Sequence, residues 1–204
     1  MKISNLAGAV LVAAASVQGQ YVWTEPTSNV TFKIAIPEAT AAPFDLALSI
    51  IAPVATGWAG FATGGCMLRS PLLIAWKNGD GVMVSPRWAS AYHPPELYNG
   101  TKAAVYSGST ANETHWVANI LCTGCSSWAG FELNPAGNVT FGWGVSSHAV
   151  DTPSDPAASI RFHDVGKDHF EVDLTAARLA KADFDALLES FGDAPKPTTG
   201  MAAR

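Results

Sequence analysis

Gly57-Trp58-Ala59-Gly60-Phe61-Ala62-Thr63-Gly64-Gly65-Cys66-Met67 alternates aromatic or apolar residues with small ones, then runs into two glycines, a cysteine and a methionine. Alternation of this kind predicts a strand across residues 57–67. Glycines inside a strand withdraw side chains from its surface, so the strand can bulge or something large can approach its backbone. Met67 then offers a thioether. Thioether sulfur is a soft donor able to ligate haem iron, although filling gaps in a core is the commoner use of methionine. Neighbours on a strand point to opposite faces, so Cys66 is expected to turn away from whatever Met67 meets, as a buried free thiol. A thiolate ligand at Cys66 is the second choice.

The segments on either side of this stretch carry the same signal. Val30, Phe32, Ile34 and Ile36 alternate on one face, residues 44–51 form an apolar run stopped by Pro53, and residues 72–76 and 81–85 flank Asn78-Gly79-Asp80-Gly81, a strong hairpin-turn signal. Residues 103–106, 114–122, 128–133, 138–145, 158–162 and 170–174 are further strand candidates. Many short strands separated by Gly, Pro, Asn and Ser indicate an all-β sandwich or barrel. One helix is expected near the end, capped by Thr175, with Ala177, Ala180, Phe184, Leu187, Leu188 and Phe191 on one face and Gly192 as its terminator.

Composition bounds the function. The chain has 204 residues, 48% hydrophobic and 14% charged, enough for one core and too few for two ordinary domains. Residues 1–19 read as a secretory signal, with Lys2 at the start, an apolar run, and small residues Val17 and Gly19 before a cut ahead of Gln20. Losing Lys2 leaves 11 basic residues against 17 acidic, a net charge of -6 in place of -5. No basic run or stripe exists, which argues against nucleic acid. No second apolar run of spanning length follows the signal, and the end of the chain lacks the hydrophobic tail of a lipid-anchor signal. A secreted, extracellular protein is expected, with a body at 20–192 and a linker-like tail at 193–204. Sequons at Asn29, Asn99, Asn112 and Asn138 fit glycosylated surface turns in that compartment.

The residues able to carry chemistry are few. Cys122-Thr123-Gly124-Cys125 lacks the following His of a covalent haem attachment, the second pair of a zinc site and the helix of a thioredoxin motif, so the plain reading is a short-loop disulfide. Of His93, His115, His148, His163 and His169, His163 ends an apolar segment, Ala158-Ser159-Ile160-Arg161-Phe162, and a strand end at a sandwich rim suits a ligand. His115 and His169 are expected on the surface. Gly-x-Ser-x-Gly, P-loop and Rossmann signatures are all absent.

Taken in order, the motifs resemble the extracellular haem b cytochrome domain of fungal cellobiose dehydrogenases, a DOMON-type, immunoglobulin-like antiparallel β-sandwich. The resemblance covers residues 20–191. Gly57-Trp58-Ala59-Gly60 and Gly64-Gly65-Cys66-Met67 are similar to the family's Gly-Trp-x-Gly and Gly-Gly-x-Met. Trp76, Asn78-Gly79 and Arg87-Trp88-Ala89-Ser90-Ala91-Tyr92 are similar to its next hairpin and loop. Cys122 to Cys125, Gly142-Trp143-Gly144 and the segment leading to His163 follow in the family's order. The resemblance implies a non-covalent haem b with Met67 and His163 as axial iron ligands, and Tyr92 near the propionates. It departs from the family at Cys66, where a small apolar residue is usual, at the additional His169, and at Pro94-Pro95.

With both axial positions filled, the implied chemistry is outer-sphere one-electron transfer by an electron-transfer protein, not a substrate-turnover enzyme. The implied partners are a secreted flavin dehydrogenase as donor and a copper polysaccharide monooxygenase or ferric chelate as acceptor. A stand-alone, monomeric cytochrome is the first expectation. The alternatives are a haem-free carbohydrate-binding sandwich using some of the seven tryptophans, and a fragment of a longer oxidoreductase. Core packing is the preferred reading of Trp58, Trp76 and Trp143.

Overall fold

The computed structural model describes residues 19–195, so most of the signal-like segment and of the tail lies outside the described residues. In chain order the strands are β1 (Tyr21–Thr24), β2 (Thr31–Pro37), β3 (Leu46–Pro53), β4 (Trp58–Ala62), β5 (Leu72–Asn78), β6 (Gly81–Trp88), β7 (Glu96–Leu97) and β8 (Lys102–Val105). They continue with β9 (Thr110–Ala111), β10 (His115–Thr123), β11 (Ser127–Trp128), β12 (Phe131–Glu132), β13 (Asn138–Ser146), β14 (Gly166–Asp173) and β15 (Arg178–Leu179), and the helix α1 (Lys181–Ser190) closes the order. One sheet runs β1-β2-β3-β10-β8, with β15 on β2 and β9 on β10; the second runs β14-β13-β4-β5-β6-β7, and β11 and β12 pair only with each other. The pairings are antiparallel apart from the parallel β15–β2 contact. The expected all-β sandwich is what forms.

Alternation decides which residues fill the space between the sheets. Phe32, Ile34 and Ile36 of β2, Leu46, Leu48 and Ile50 of β3 and Trp116, Ala118 and Ile120 of β10 meet Ala59 and Phe61 of β4, Leu73 and Ala75 of β5 and Phe141 and Val145 of β13 in one buried cluster. The other face of the first sheet, at Ala35 and Ala47, is covered by Phe184 and Leu187 of α1 and by Phe191 just after it. The other face of the second sheet carries a separate cluster that includes Trp58, Ala62, Leu72, Ile74 and Trp76, with Ala158 and Ile160 laid over it. Trp58 and Trp76 are therefore packing residues, as expected. The Asn78-Gly79 turn is present, with Asn78 opposite Gly81 and Gly79 at φ 62°.

Several boundaries differ from the sequence reading. The helix begins at Lys181, not beside Thr175. Thr175 instead bonds Asp173 through its amide and hydroxyl within a turn over residues 174–177, Ala177 is buried in the main core, and Arg178–Leu179 pairs with β2 before the helix begins. Gly192, at φ 93°, ends the helix as expected, its amide donating to the Glu189 carbonyl. Residues 128–133 form no single strand, because Ala129 (φ 44°) and Gly130 (φ 85°) reverse the chain between β11 and β12.

Residues 158–162 are not a strand either. Their carbonyls are taken by side chains of the second sheet: Trp58 Nε1 donates to Arg161 O, Ser146 Oγ to Phe162 O, and Arg87 Nη2 to Ala158 O. The segment is an irregular strap across that sheet. Cys122 and Cys125 are disulfide-bonded, Cα atoms 5.8 Å apart, with Gly124 between them at φ 82°. No helix among the described residues is long and apolar enough to cross a membrane.

Candidate functional site

Cross-strand partners in a sheet share a face, and the registers place two rows side by side on the strap-bearing face of the second sheet. One row is His169, Gly142, Ala62, Leu72 and Arg87; the next is Lys167, Gly144, Gly60, Ile74 and Ser85. Each row is polar at its ends and small or apolar in the middle. Gly60, Gly142 and Gly144 leave a floor without side chains, over which lies a cavity of about 500 Å³. This volume is ordinary for a small-molecule or cofactor site.

Three irregular segments wall the cavity. The first is the turn after β4. Strand β4 ends at Ala62, so Met67 stands on this turn and not on a strand. Gly65 adopts φ 77°, Arg69 φ 55°, and the turn is fastened by Ser70 Oγ to Cys66 O, Trp128 Nε1 to Arg69 O and the Arg69 amide to Ala89 O. Gly142 lets this turn sit against β13, since a Cβ there would lie 2.8 Å from the Gly65 carbonyl oxygen. Because strand alternation ends before residue 66, the opposite-face expectation fails. Cys66 is an exposed free thiol and lines the same cavity as Met67.

The second wall is the strap with His163. Its ring lies over Gly144, in ordinary contact with where a Cβ would stand, and edge-on to Trp58 at 6.3 Å. Asp164, the next residue, accepts from the Ser147 amide at 2.9 Å and lies 2.7 Å from Ser146 Oγ. The Ser147 hydroxyl, then that of Ser146, hold the Asp164 carboxyl well below the usual carboxylate range. Burial pushes the His163 imidazole below its ordinary pKa, and its buried Nδ1 has no hydrogen-bond partner within the protein. A neutral ring with unused bonding capacity is what a metal ligand needs.

The third wall is the loop that carries Tyr92, His93, Pro94 and Pro95. Tyr92 is at the mouth with 83% of its surface exposed. His169, on β14 opposite Gly142, and His93 also reach the cavity, but both are exposed. His169 lies 3.0 Å from the Asp168 carboxylate. Position in a strand register, which the sequence does not spell out, brings His169 here; nothing in the sequence signalled His93. His115 and His148 stand apart from the cavity lining, and Asn29, Asn99, Asn112 and Asn138 are all exposed.

The donor set is one thioether and one half-buried neutral imidazole, above a flat, mostly apolar floor. It fits a planar apolar group carrying iron, such as haem, and it offers no cluster of three hydrophilic metal ligands among the described residues.

Comparison with known proteins agrees with this architecture. The model of the cytochrome domain of cellobiose dehydrogenase matches residues 15–185. A pyrroloquinoline quinone-dependent pyranose dehydrogenase of Coprinopsis cinerea is 30% identical over 221 aligned residues, covering 99% of this chain and 30% of the relative. The chain thus spans under a third of that relative's length. The crystal structure of the cytochrome b domain of pyranose dehydrogenase from Coprinopsis cinerea superposes with a TM-score of 0.79 at 26% identity, over 87% of this chain and 97% of that one. The cytochrome domain of Myriococcum thermophilum cellobiose dehydrogenase shares the fold, with a TM-score of 0.71 at 24% identity over 86% and 90% of the two chains. The chain belongs to the family of cytochrome domains of cellobiose dehydrogenase.

Proposed function

We propose that residues 20–192 form a haem b cytochrome for one-electron transfer, that the cavity holds the haem without a covalent bond, and that Met67 and His163 are its axial ligands. The single observation that carries this is the convergence of Met67 and a neutral, half-buried His163 on one cavity whose floor is Gly60, Gly142 and Gly144. Haem bound there supplies an iron able to hold or release one electron. A thioether ligand favours the ferrous state more than a second imidazole does. Met67 and His163 would hold the group between them from the chain's own side chains. The chain also packs apolar walls around the ring, while Tyr92 stands at the open mouth.

The exposed mouth is where an electron would cross to a partner. A secreted dehydrogenase is the proposed donor. The resemblance to cellobiose dehydrogenase suggests a flavin enzyme, and the quinone-dependent relative widens the class. A copper polysaccharide monooxygenase or a ferric chelate is the proposed acceptor. Secretion and glycosylation at the four exposed sequons belong to the same proposal. The mass of the protein recovered from culture medium tests them.

The test of the central reading is an absorption spectrum of the purified protein, oxidised and reduced. Six-coordinate, low-spin haem b that acid-acetone extracts is expected. A protein that carries no haem after supplementation, or haem that stays with the polypeptide on extraction, overturns the reading and favours the haem-free binding module or a covalent cytochrome.

A further inference from the structure

We propose that Arg87 is a positioning residue that sets the width of the cavity by holding two of its walls, the His163 strap and the loop of Tyr92 and Pro95, at a fixed separation. Arg87 stands near the end of β6 on the row that forms the cavity floor, and is only 4% exposed. Among the described residues its guanidinium meets no carboxylate at ion-pair distance. It binds instead to the backbone of both walls. Nη2 donates to Pro156 O at 2.7 Å and to Ala158 O at 2.8 Å, in the strap, and Nη1 donates to Pro95 O at 2.9 Å, in the loop. Nε donates to Ser85 Oγ at 2.6 Å, and Ser85 Oγ in turn donates to Pro156 O at 2.7 Å.

A buried cation is costly unless its donors are met; here carbonyl dipoles meet them, and the Asp155 carboxylate favours the charge from beyond ion-pair distance. The strap has no strand partner over residues 158–162, so these bonds help to locate it, together with those from Trp58 and Ser146, those of Asp164 to Ser146 and Ser147, and the packing of Ala158 and Ile160 on the sheet. Arg87 alone among them also reaches the opposite wall. A planar fork can serve carbonyls from two chain segments at once; an ammonium, a compact point charge, cannot span them in the same geometry. The remaining wall, the turn of Met67, is tied in two residues further on, where Ala89 bridges Leu68 and accepts from the Arg69 amide.

The consequence for the walls stands on these contacts alone, whereas the consequence for haem rests on the proposed function. The experiment reads the two separately in the full chain. Arg87→Lys keeps the charge and loses the fork. Ser85→Ala removes one strap bond and keeps Arg87. Ile50→Val, in the far sheet, is a destabilised control.

Amide exchange of the haem-free protein should be at least tenfold faster at Ala157 and Ala158, whose amides bond Asp155 at the start of the strap, in Arg87→Lys, with a smaller increase in Ser85→Ala and no local increase in the control. Haem transferred to apomyoglobin should leave Arg87→Lys at least tenfold faster than wild type or the control, with partial loss of the low-spin spectrum. If wild type takes up no haem, the proposed function falls and the exchange result alone decides the clamp. Unchanged exchange in the strap of both variants, or a wild-type haem release rate and spectrum in a folded Arg87→Lys, overturns it.

Discussion

A neutral imidazole is the form of histidine that binds a metal, and burial holds the His163 ring below its ordinary pKa. Its folded pKa therefore lies under the unfolded value of about 6.5. Between the two values the unfolded chain binds more protons, so stability is full above about pH 6.5 and is lost as pH falls through the folded pKa. Urea unfolding of the haem-free protein, followed from neutral pH downward, should show this decline, and His163→Gln should flatten it. An identical decline in the variant would assign the titration elsewhere. Substitutions also test the proposed ligands one by one. Met67→His should keep haem and lower the reduction potential, because a second imidazole favours ferric iron. His163→Ala should weaken haem binding by more than about tenfold, the lower limit seen when even an outer partner of a metal ligand is removed. His169→Ala should leave the low-spin spectrum unchanged, since that exposed ring lies beside Asp168. The reverse pattern for His163 and His169 would exchange their roles.

At the level of the elements, the glycines of β4 and β13 have distinct duties. A Cβ on Gly142 would lie 2.8 Å from the Gly65 carbonyl oxygen, so Gly142→Ala must displace the turn that carries Met67. Overpacking of this kind costs about 1–3 kcal/mol, and the expected outcome is a lower thermal midpoint together with weakened ligation. On Gly144 a Cβ would stand at 3.6 Å from the His163 ring, an ordinary contact. Gly144→Leu should then fold with stability within about 1 kcal/mol of wild type, the span of strand propensities, while its side chain occupies the floor and keeps haem out. Calorimetry of the haem-free variants and a haem titration check both. A Gly144→Leu protein that still takes up haem like wild type would show that the floor is not the seat. The strap is an element of another kind: the carbonyls of Ala158, Arg161 and Phe162 are taken by Arg87, Trp58 and Ser146, so residues 158–162 read as a strand from their apolar content and yet pair with none.

For the molecule as a whole, the cavity lies outside the main core, on the far face of the second sheet, while the space between the sheets is filled by its own cluster. The sandwich is therefore expected to fold without haem. Haem binding only the folded state adds stability by mass action, about 2.7 kcal/mol at one hundred times the dissociation constant, or roughly 5–10 °C in a chain of this size. A thermal scan with and without haem measures it. Unfolded apoprotein would show instead that the strap and walls cannot form around an empty floor.

What the sequence by itself determined is what repeats locally. The alternation of residues 30–36, the apolar run of 44–51 and the candidates 114–122 and 138–145 lie largely on strands of the sandwich, because a two-residue period leaves one choice of buried face. Asn78-Gly79 made its turn because the turn needs a residue that accepts positive φ. Met67 and His163 were legible as candidates from residue type and motif order. Their meeting on one cavity was decided by tertiary structure, since β4 and β13 pair across a wide gap in sequence and no local rule contains that register. The same holds for Cys66, turned outward once the chain left the strand, and for Thr175, whose capping capacity was used by Asp173. Arg87 is the clearest case. Its sequence neighbours describe a strand end, and only the packed fold shows carbonyls of two distant segments arranged around one guanidinium.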